Sequence, residues 1–261
     1  MSDTIKVTQM TLQTPSKNDY LMGVNSYPMS VRYTVESLQN VLSDPWRRFE
    51  STAFYFSPTK IRISNDYTKY FITGTKLKVV QNSATKYFYV LSSQYTAGNT
   101  YINIFGGTSY VLENAAITSL NLSYSAAEFS YLNYTPTWSA TGAISLGNGV
   151  LVGRVSITGN TCTTLIKFAL GSTTNVGTST NWKFSLPIPS SSNTIHTLGT
   201  AIARDLSAST FYSYTPFILN NAVDIQYFVR NSIDTNYGIS YNTPFTWATS
   251  DQLLINITYE I

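Results

Sequence analysis

The sequence predicts an all-β protein: an extended N-terminal arm with one short helix, a small five-stranded β-barrel, and a C-terminal β-sandwich of jelly-roll type. Three observations carry this. Apolar and polar residues alternate in short runs, the pattern of strands wetted on one face. The runs are bounded by Gly, Asn and Pro, which accept tight or left-handed turns. Tyr and Phe, with 20 and 13 copies, favour pleated half-buried surfaces, and hydrophobic residues reach 43% against 11% charged, which excludes a disordered chain. At about 150 residues per domain, the chain of 261 holds one large β-domain or two smaller ones.

The arm is expected over residues 1–45. Around Thr34, the residues Val35, Leu38, Val41 and Leu42 fall at helical spacing. Thr34 can cap the first turn, Glu36 suits its dipole, and Asp44-Pro45 stops it. The apolar stripe has little sequence of its own to cover it, so it is expected to pack on a neighbouring subunit or on the β-domain that follows.

The barrel is expected over 46–124, with strands at Lys60 to Ser64, Lys76 to Gln81, Tyr87 to Ser92, Tyr101 to Phe105 and Ile117 to Tyr124. Leu77 and Val79 alternate with Lys76 and Lys78, and Ile102 and Ile104 with Tyr101 and Asn103. Turn residues such as Asn65-Asp66, Gly74, Asn82-Ser83 and Gly98-Asn99 separate the strands. Over 125–135 the alternation lapses, and Pro136 forces Thr135 to be extended, which reads as a linker.

The sandwich is expected over 136–261. Its strands are Gly149 to Ile157, Cys162 to Leu170, Trp182 to Leu186, Leu198 to Leu206, Phe211 to Leu219, Ala222 to Arg230 and Gln252 to Ile261. The last is the clearest: Leu253, Ile255, Ile257, Tyr259 and Ile261 share one face. So well-patterned a strand is expected inside the sheet.

Composition narrows the chemistry. The net charge is +3 and the basic residues look scattered apart from Arg47-Arg48, so no nucleic-acid partner is expected. One cysteine, Cys162, makes no intrachain disulfide, and one histidine, His196, makes no His-rich metal site. Cys162 reads as a buried small hydrophobe and His196 as a loop residue. No basic leader and no run of about 18 apolar residues occurs, so a soluble chain folding in the cytoplasm where it is made is expected, without Sec export or membrane insertion. A glycosidase needs two carboxylates about 5–10 Å apart. Asp205, Asp224, Asp234 and Asp251 read instead as solvated turn or strand-face groups, so no catalytic residues are assigned. Gly106-Gly107 and Gly147-Asn148-Gly149 read as turns, not phosphate loops. Asn220, Asn221 and Asp224 fit no calcium-loop spacing, so neither metal nor cofactor is expected.

Surface recognition remains. Tyr237, Tyr241 and Trp247 lie in the long connection before the last strand, beside Asn236, Asn242 and Asp251. Aromatic faces stack on the C–H faces of sugars while amides and carboxylates bond their hydroxyls. A glycan or receptor contact is therefore expected there.

Three stretches carry a family resemblance. Asp19-Tyr20-Leu21-Met22-Gly23 with Ser30, Tyr33-Thr34-Val35 and Leu38 resembles the N-terminal segments of bacteriophage tail-fibre and other virion-appendage proteins. Lys60 to Ser64, Gly74 to Val79 and Lys86 to Val90 are similar to a small β-domain of phage structural proteins. Tyr134 to Trp138, Gly149 to Gly159, Phe184 to Pro187, Thr246 to Ala248 and Asp251 to Glu260 look like the terminal sandwich of receptor-binding and head-fibre proteins. The resemblance implies a non-enzymatic structural protein of a tailed-phage virion, a homotrimer presenting its sandwich for host-surface attachment. A capsid-attached head fibre or decoration protein is the alternative, and a polysaccharide-degrading tail enzyme a third. It also implies docking on other virion proteins through Val7, Met10, Leu12, Leu21, Val35, Leu38 and Leu42.

Overall fold

A computed structural model describes residues 20–23, 31–34, 45–123, 131–192, 197–230 and 238–261. It divides into two compact units, Met1–Pro45 and Trp46–Ile261. In the first, β1 (Tyr20–Gly23) pairs antiparallel with β2 (Val31–Thr34), which sets Leu21 opposite Tyr33. The expected helix lies outside the described residues, as do Val7, Met10, Leu12, Val35, Leu38 and Leu42.

The second unit is all-β, with three antiparallel sheets and no helix of seven or more residues among those described. Its first sheet has seven strands. Following β3 (Arg47–Arg48) and β4 (Ala53–Ser57) come β5 (Lys60–Ser64), β6 (Lys76–Gln81), β7 (Ala84–Thr96), β8 (Asn99–Phe105) and β9 (Ile117–Ser123). The spatial order is β3-β9-β6-β7-β8-β5-β4. All five expected strands are present, but they do not close a barrel. The edges are held by β3, paired with β9, and β4, paired with β5. The chain runs from one edge to the other through 49–52, where Phe49 N–H to Leu120 O at 2.9 Å continues the pairing and the ladder then stops. The inward face follows the alternation: Ile61, Ile63, Leu77, Val79, Phe88, Val90, Ile102 and Ile104 form the core.

A buried polar cluster holds the loop before β9. The Gln81 amide donates to the carbonyls of Glu113 and Ala115 at 2.7 and 2.8 Å and accepts from Glu113 N–H at 2.8 Å. Beside it the Lys86 ammonium donates to Val111 O at 2.9 Å and pairs with the Glu113 carboxylate. The hydrogen bond from Lys86, then that from Asn82, holds Glu113 below the ordinary glutamate pKa. A carboxylate depressed on folding stabilises above its unfolded pKa of about 4.3, and that stabilisation is lost as pH falls through the lower folded value. Glu113→Gln is therefore expected to be less stable than wild type at neutral pH, with the gap closing in acid below about pH 4. Urea midpoints across pH measure this, and equal midpoints at neutral pH count against the cluster.

The remaining strands build two facing sheets. They are β10 (Leu132–Tyr134), β11 (Trp138–Thr141), β12 (Val150–Thr158), β13 (Thr161–Ala169), β14 (Thr180–Ser185), β15 (Thr197–Leu198), β16 (Thr200–Asp205), β17 (Thr210–Ile218), β18 (Asp224–Ile225), β19 (Tyr227–Val229) and β20 (Gln252–Glu260). The larger sheet runs β10-β12-β13-β20-β16-β17, with β15 and β19 also paired to β17, and the smaller β11-β14-β18. The chain changes sheet at both edges: β10 to β11 through Thr135-Pro136-Thr137, and β18 to β19 at Gln226. Leu132–Tyr134, which sequence placed in the linker, is thus a sheet strand. It pairs with β12, and the Tyr134 ring lies over Gly153, where a Cβ would sit 2.2 Å from the ring.

β20 lies between β13 and β16, and Leu253, Ile255, Ile257 and Tyr259 are buried on its inner face. Between the sheets, Trp138, Phe168, Trp182, Phe184 and Trp247 form an aromatic stack with centroid spacings of 4.7 to 5.7 Å. Cys162 is fully buried, and burial pushes its thiol pKa up, so it is a packed apolar group and not a thiolate. Tyr89 of the seven-stranded sheet joins this core, and Thr108 N–H donates to Asn133 O at 2.9 Å, so the two β-regions share a contact.

Candidate functional site

The segment 238–247, ahead of β20, is laid along the end of β14. Ile239 O accepts from Trp182 N–H at 3.1 Å, and Tyr241 N–H donates to Ser179 O at 2.9 Å. Ile239 and Trp247 are its buried anchors, and the Trp247 indole N–H donates to Thr243 O at 3.2 Å. With those side chains inside, the segment presents Ser240 and Asn242 outward, the Ser240 hydroxyl bonded to the Asn242 carbonyl oxygen at 3.0 Å.

Beside it lies the outer face of the smaller sheet. Along β14, Trp182 and Phe184 point into the core, so Asn181 and Lys183 point out. Thr141 of β11 and Gln226 and Tyr227 at the corner after β18 complete a hollow of about 600 Å³. Its lining is mostly hydroxyl and amide groups, with Gly238, Ile239, the Tyr227 ring and one cation, Lys183, the single charged group among the described lining residues. Hydroxyls and carboxamides both donate and accept, the requirement for binding a polyol.

The structure separates the residues expected to make this contact. Asn242 lines the hollow, and Tyr241 is half-buried beside it through its backbone bonds. Trp247, expected as an exposed platform, is 5% exposed and packed on Trp182 and Phe245 at 5.1 and 4.6 Å, so neither ring face is free for a sugar. Asp251, 1% exposed, spends both carboxylate oxygens on backbone: Leu206 N–H at 2.8 Å and Ala248 N–H at 2.7 Å. Both are corrections, with one cause. The connection folds onto the core, and its most apolar ring is the residue that holds it there. Asn236 and Tyr237 lie outside the described residues.

Asn181, Lys183, Gln226 and Tyr227 were not found from sequence. The signal for the first two was present in Asn181-Trp182-Lys183-Phe184, whose alternation sends Asn181 and Lys183 to the face opposite the core. Nothing in sequence brings Gln226 beside them, because that depends on the strand changing sheets.

Asp205 has structural partners as well. Asp205 accepts from Ala208 N–H at 2.9 Å and the Ser207 hydroxyl at 2.7 Å, and these bonds, the backbone one foremost, lower its pKa. No group of three or more His, Cys, Asp or Glu is arranged to hold a metal among the described residues. No protein-family model, curated protein or solved structure matches the chain. What defines the class is the fold with its surface: an all-β protein of stacked antiparallel sheets bearing a polar hollow over an aromatic core.

Proposed function

We propose that the chain is a non-enzymatic structural protein of a tailed-bacteriophage virion, an appendage of tail-fibre or receptor-binding type whose jelly-roll-like sandwich attaches to host-surface glycan. It assembles in the host cytoplasm and docks on other virion proteins through its N-terminal arm. The observation that carries this is the hollow, in which amide and hydroxyl groups converge on the outer face of a sheet beside a segment anchored in the core. The engagement of Asp205 and Asp251 in turns and caps supports contact over acid–base chemistry.

The homotrimer has its own support. The outer face of the larger sheet is a shallow groove of about 580 Å³ with Val152, Leu165, Ile202 and Leu254 among its lining. Arg154 and Lys167 lie in it and no carboxylate does, so two copies of this face meeting squarely would oppose like charges. A ring of three, in which each face meets a different surface of its neighbour, avoids that clash.

The test of attachment is binding of the full chain to an array of isolated bacterial surface polysaccharides and lipopolysaccharides. Wild type is expected to bind a restricted set, and Asn181→Ala with Gln226→Ala to lose it while the melting temperature is unchanged. Retention of every signal by that variant overturns the hollow as the contact.

A further inference from the structure

The chain's charge is not evenly spread. Residues 46–123 hold eight of the 16 Lys and Arg but three of the 13 Asp and Glu, a net of +5 inside a chain of net +3. The seven-stranded sheet brings part of that charge together with exposed rings. Across β4, β5, β8 and β7, Phe54, Arg62, Tyr101 and Gln94 are register partners in one outward row. The next row sets Lys60 beside Asn103 and Ser92, with Phe56 at the β4 irregularity alongside.

Phe54 and Phe56 are 40% and 50% exposed and belong to no core. The Arg62 guanidinium lies 5.2 Å from the Phe54 centroid and the Lys60 ammonium 5.7 Å from that of Phe56, while Phe56 meets Tyr101 edge-to-face at 5.0 Å. Each cation is thereby steadied on a ring, so less side-chain freedom remains to be lost when an anion arrives. No carboxylate occurs in either row.

We infer that this face binds an acidic polysaccharide, a site separate from the hollow and independent of it. Arg62 and Lys60 meet the carboxylate or other anionic group carried by successive sugars, Arg62 with its paired donors. Phe54, Phe56 and Tyr101 offer apolar surface to the pyranose C–H faces, and Gln94 and Asn103 offer amides to the hydroxyls. The Asn103 amide already bonds the Ser92 hydroxyl at 2.7 Å, which aligns that edge. A single-stranded nucleic acid, the other polymer with a charge on every unit, needs ring after ring along a cationic track of about four or more nucleotides. Here Phe54, Arg62 and Tyr101 give way to Gln94 in the first row, and Phe56 and Lys60 to Asn103 and Ser92 in the second, so rings and cations end in amides and a hydroxyl within four strands, which matches a sugar better than a base.

Calorimetric titration of the full chain with polygalacturonate, neutral dextran and an oligothymidylate tests this. Polygalacturonate is expected to bind, dextran not to bind, and oligothymidylate to bind more weakly. Lys60→Gln with Arg62→Gln, and separately Phe54→Ala with Phe56→Ala, should each weaken polygalacturonate binding by about tenfold or more, the second without any change of charge. Lys69→Gln removes a charge of the same domain outside the rows and should change the affinity by less than about twofold. The exposed positions of Phe54 and Phe56 leave the fold intact, which the melting temperature checks. An unchanged affinity in the Phe54/Phe56 variant, a Lys69→Gln loss as large as that of the paired cations, or tighter binding of oligothymidylate than of polygalacturonate overturns the inference.

Discussion

Trp247→Ala is expected to destabilise the sandwich by about 3–5 kcal/mol, the cost of removing a buried indole and leaving its space unfilled. The ring sits at the end of the stack that runs through Trp182 to Trp138 and Phe168, and it packs on Phe245 as well. Its removal takes surface from Trp182, which is fully buried, and leaves the Thr243 carbonyl with only the longer bond from Ser240 N–H at 3.4 Å. The segment 238–247 then loses an anchor, so the geometry of the hollow should go with the stability. Urea unfolding measures it: the midpoint should fall with the denaturant slope unchanged, the signature of lost stability in a still-cooperative unit. A loss below about 1 kcal/mol is what a surface ring would give, and would mean that this segment does not pack on the core as described.

Asp251→Ala should cost about 2–4 kcal/mol, because it strands two backbone N–H groups at once. One belongs to Leu206, just after β16, and the other to Ala248. The Asp251 backbone is also engaged, donating to Ala248 O at 3.2 Å and accepting from Leu170 N–H at 3.0 Å. The residue therefore ties together the ends of three strands at one pole of the sandwich. Asp251→Asn keeps one acceptor but turns an NH₂ toward the other N–H, and should fall between wild type and Ala. The same urea series separates the three proteins, and an Ala variant as stable as wild type would show that the carboxylate caps nothing.

Local chemistry explains which elements sequence revealed. β5 and β6 coincide with their expected bounds because Ile61 and Ile63, and Leu77 and Val79, fall at alternate positions and the turns beside them carry Asn65 and Asn82, both at positive φ. β20 was as clear, since one apolar face runs its full length. β4 escaped because Phe54, Tyr55 and Phe56 are aromatic on both faces, so no period of two is visible; its outward rings serve the surface, not the core. β10 and β11 escaped because they are three and four residues long, on either side of the proline corner. Barrel closure was a matter of where the 46–57 segment pairs, which strand patterns do not encode. The candidate site was partly legible. Residue type and loop position drew attention to 238–251, but burial is a tertiary property, and it puts Trp247 and Asp251 inside rather than on the surface. A ring that looks like a ligand platform in a loop is also the residue best able to pin that loop to a core.

The molecular mass of the full chain at micromolar concentration, measured by light scattering, bears most directly on whether this protein works as an assembled contact surface. Three times 29.0 kDa is expected, falling to a single chain in Leu254→Glu, which places a charge in the apolar groove of the larger sheet. A stable mass of 29.0 kDa for the wild type would contradict it.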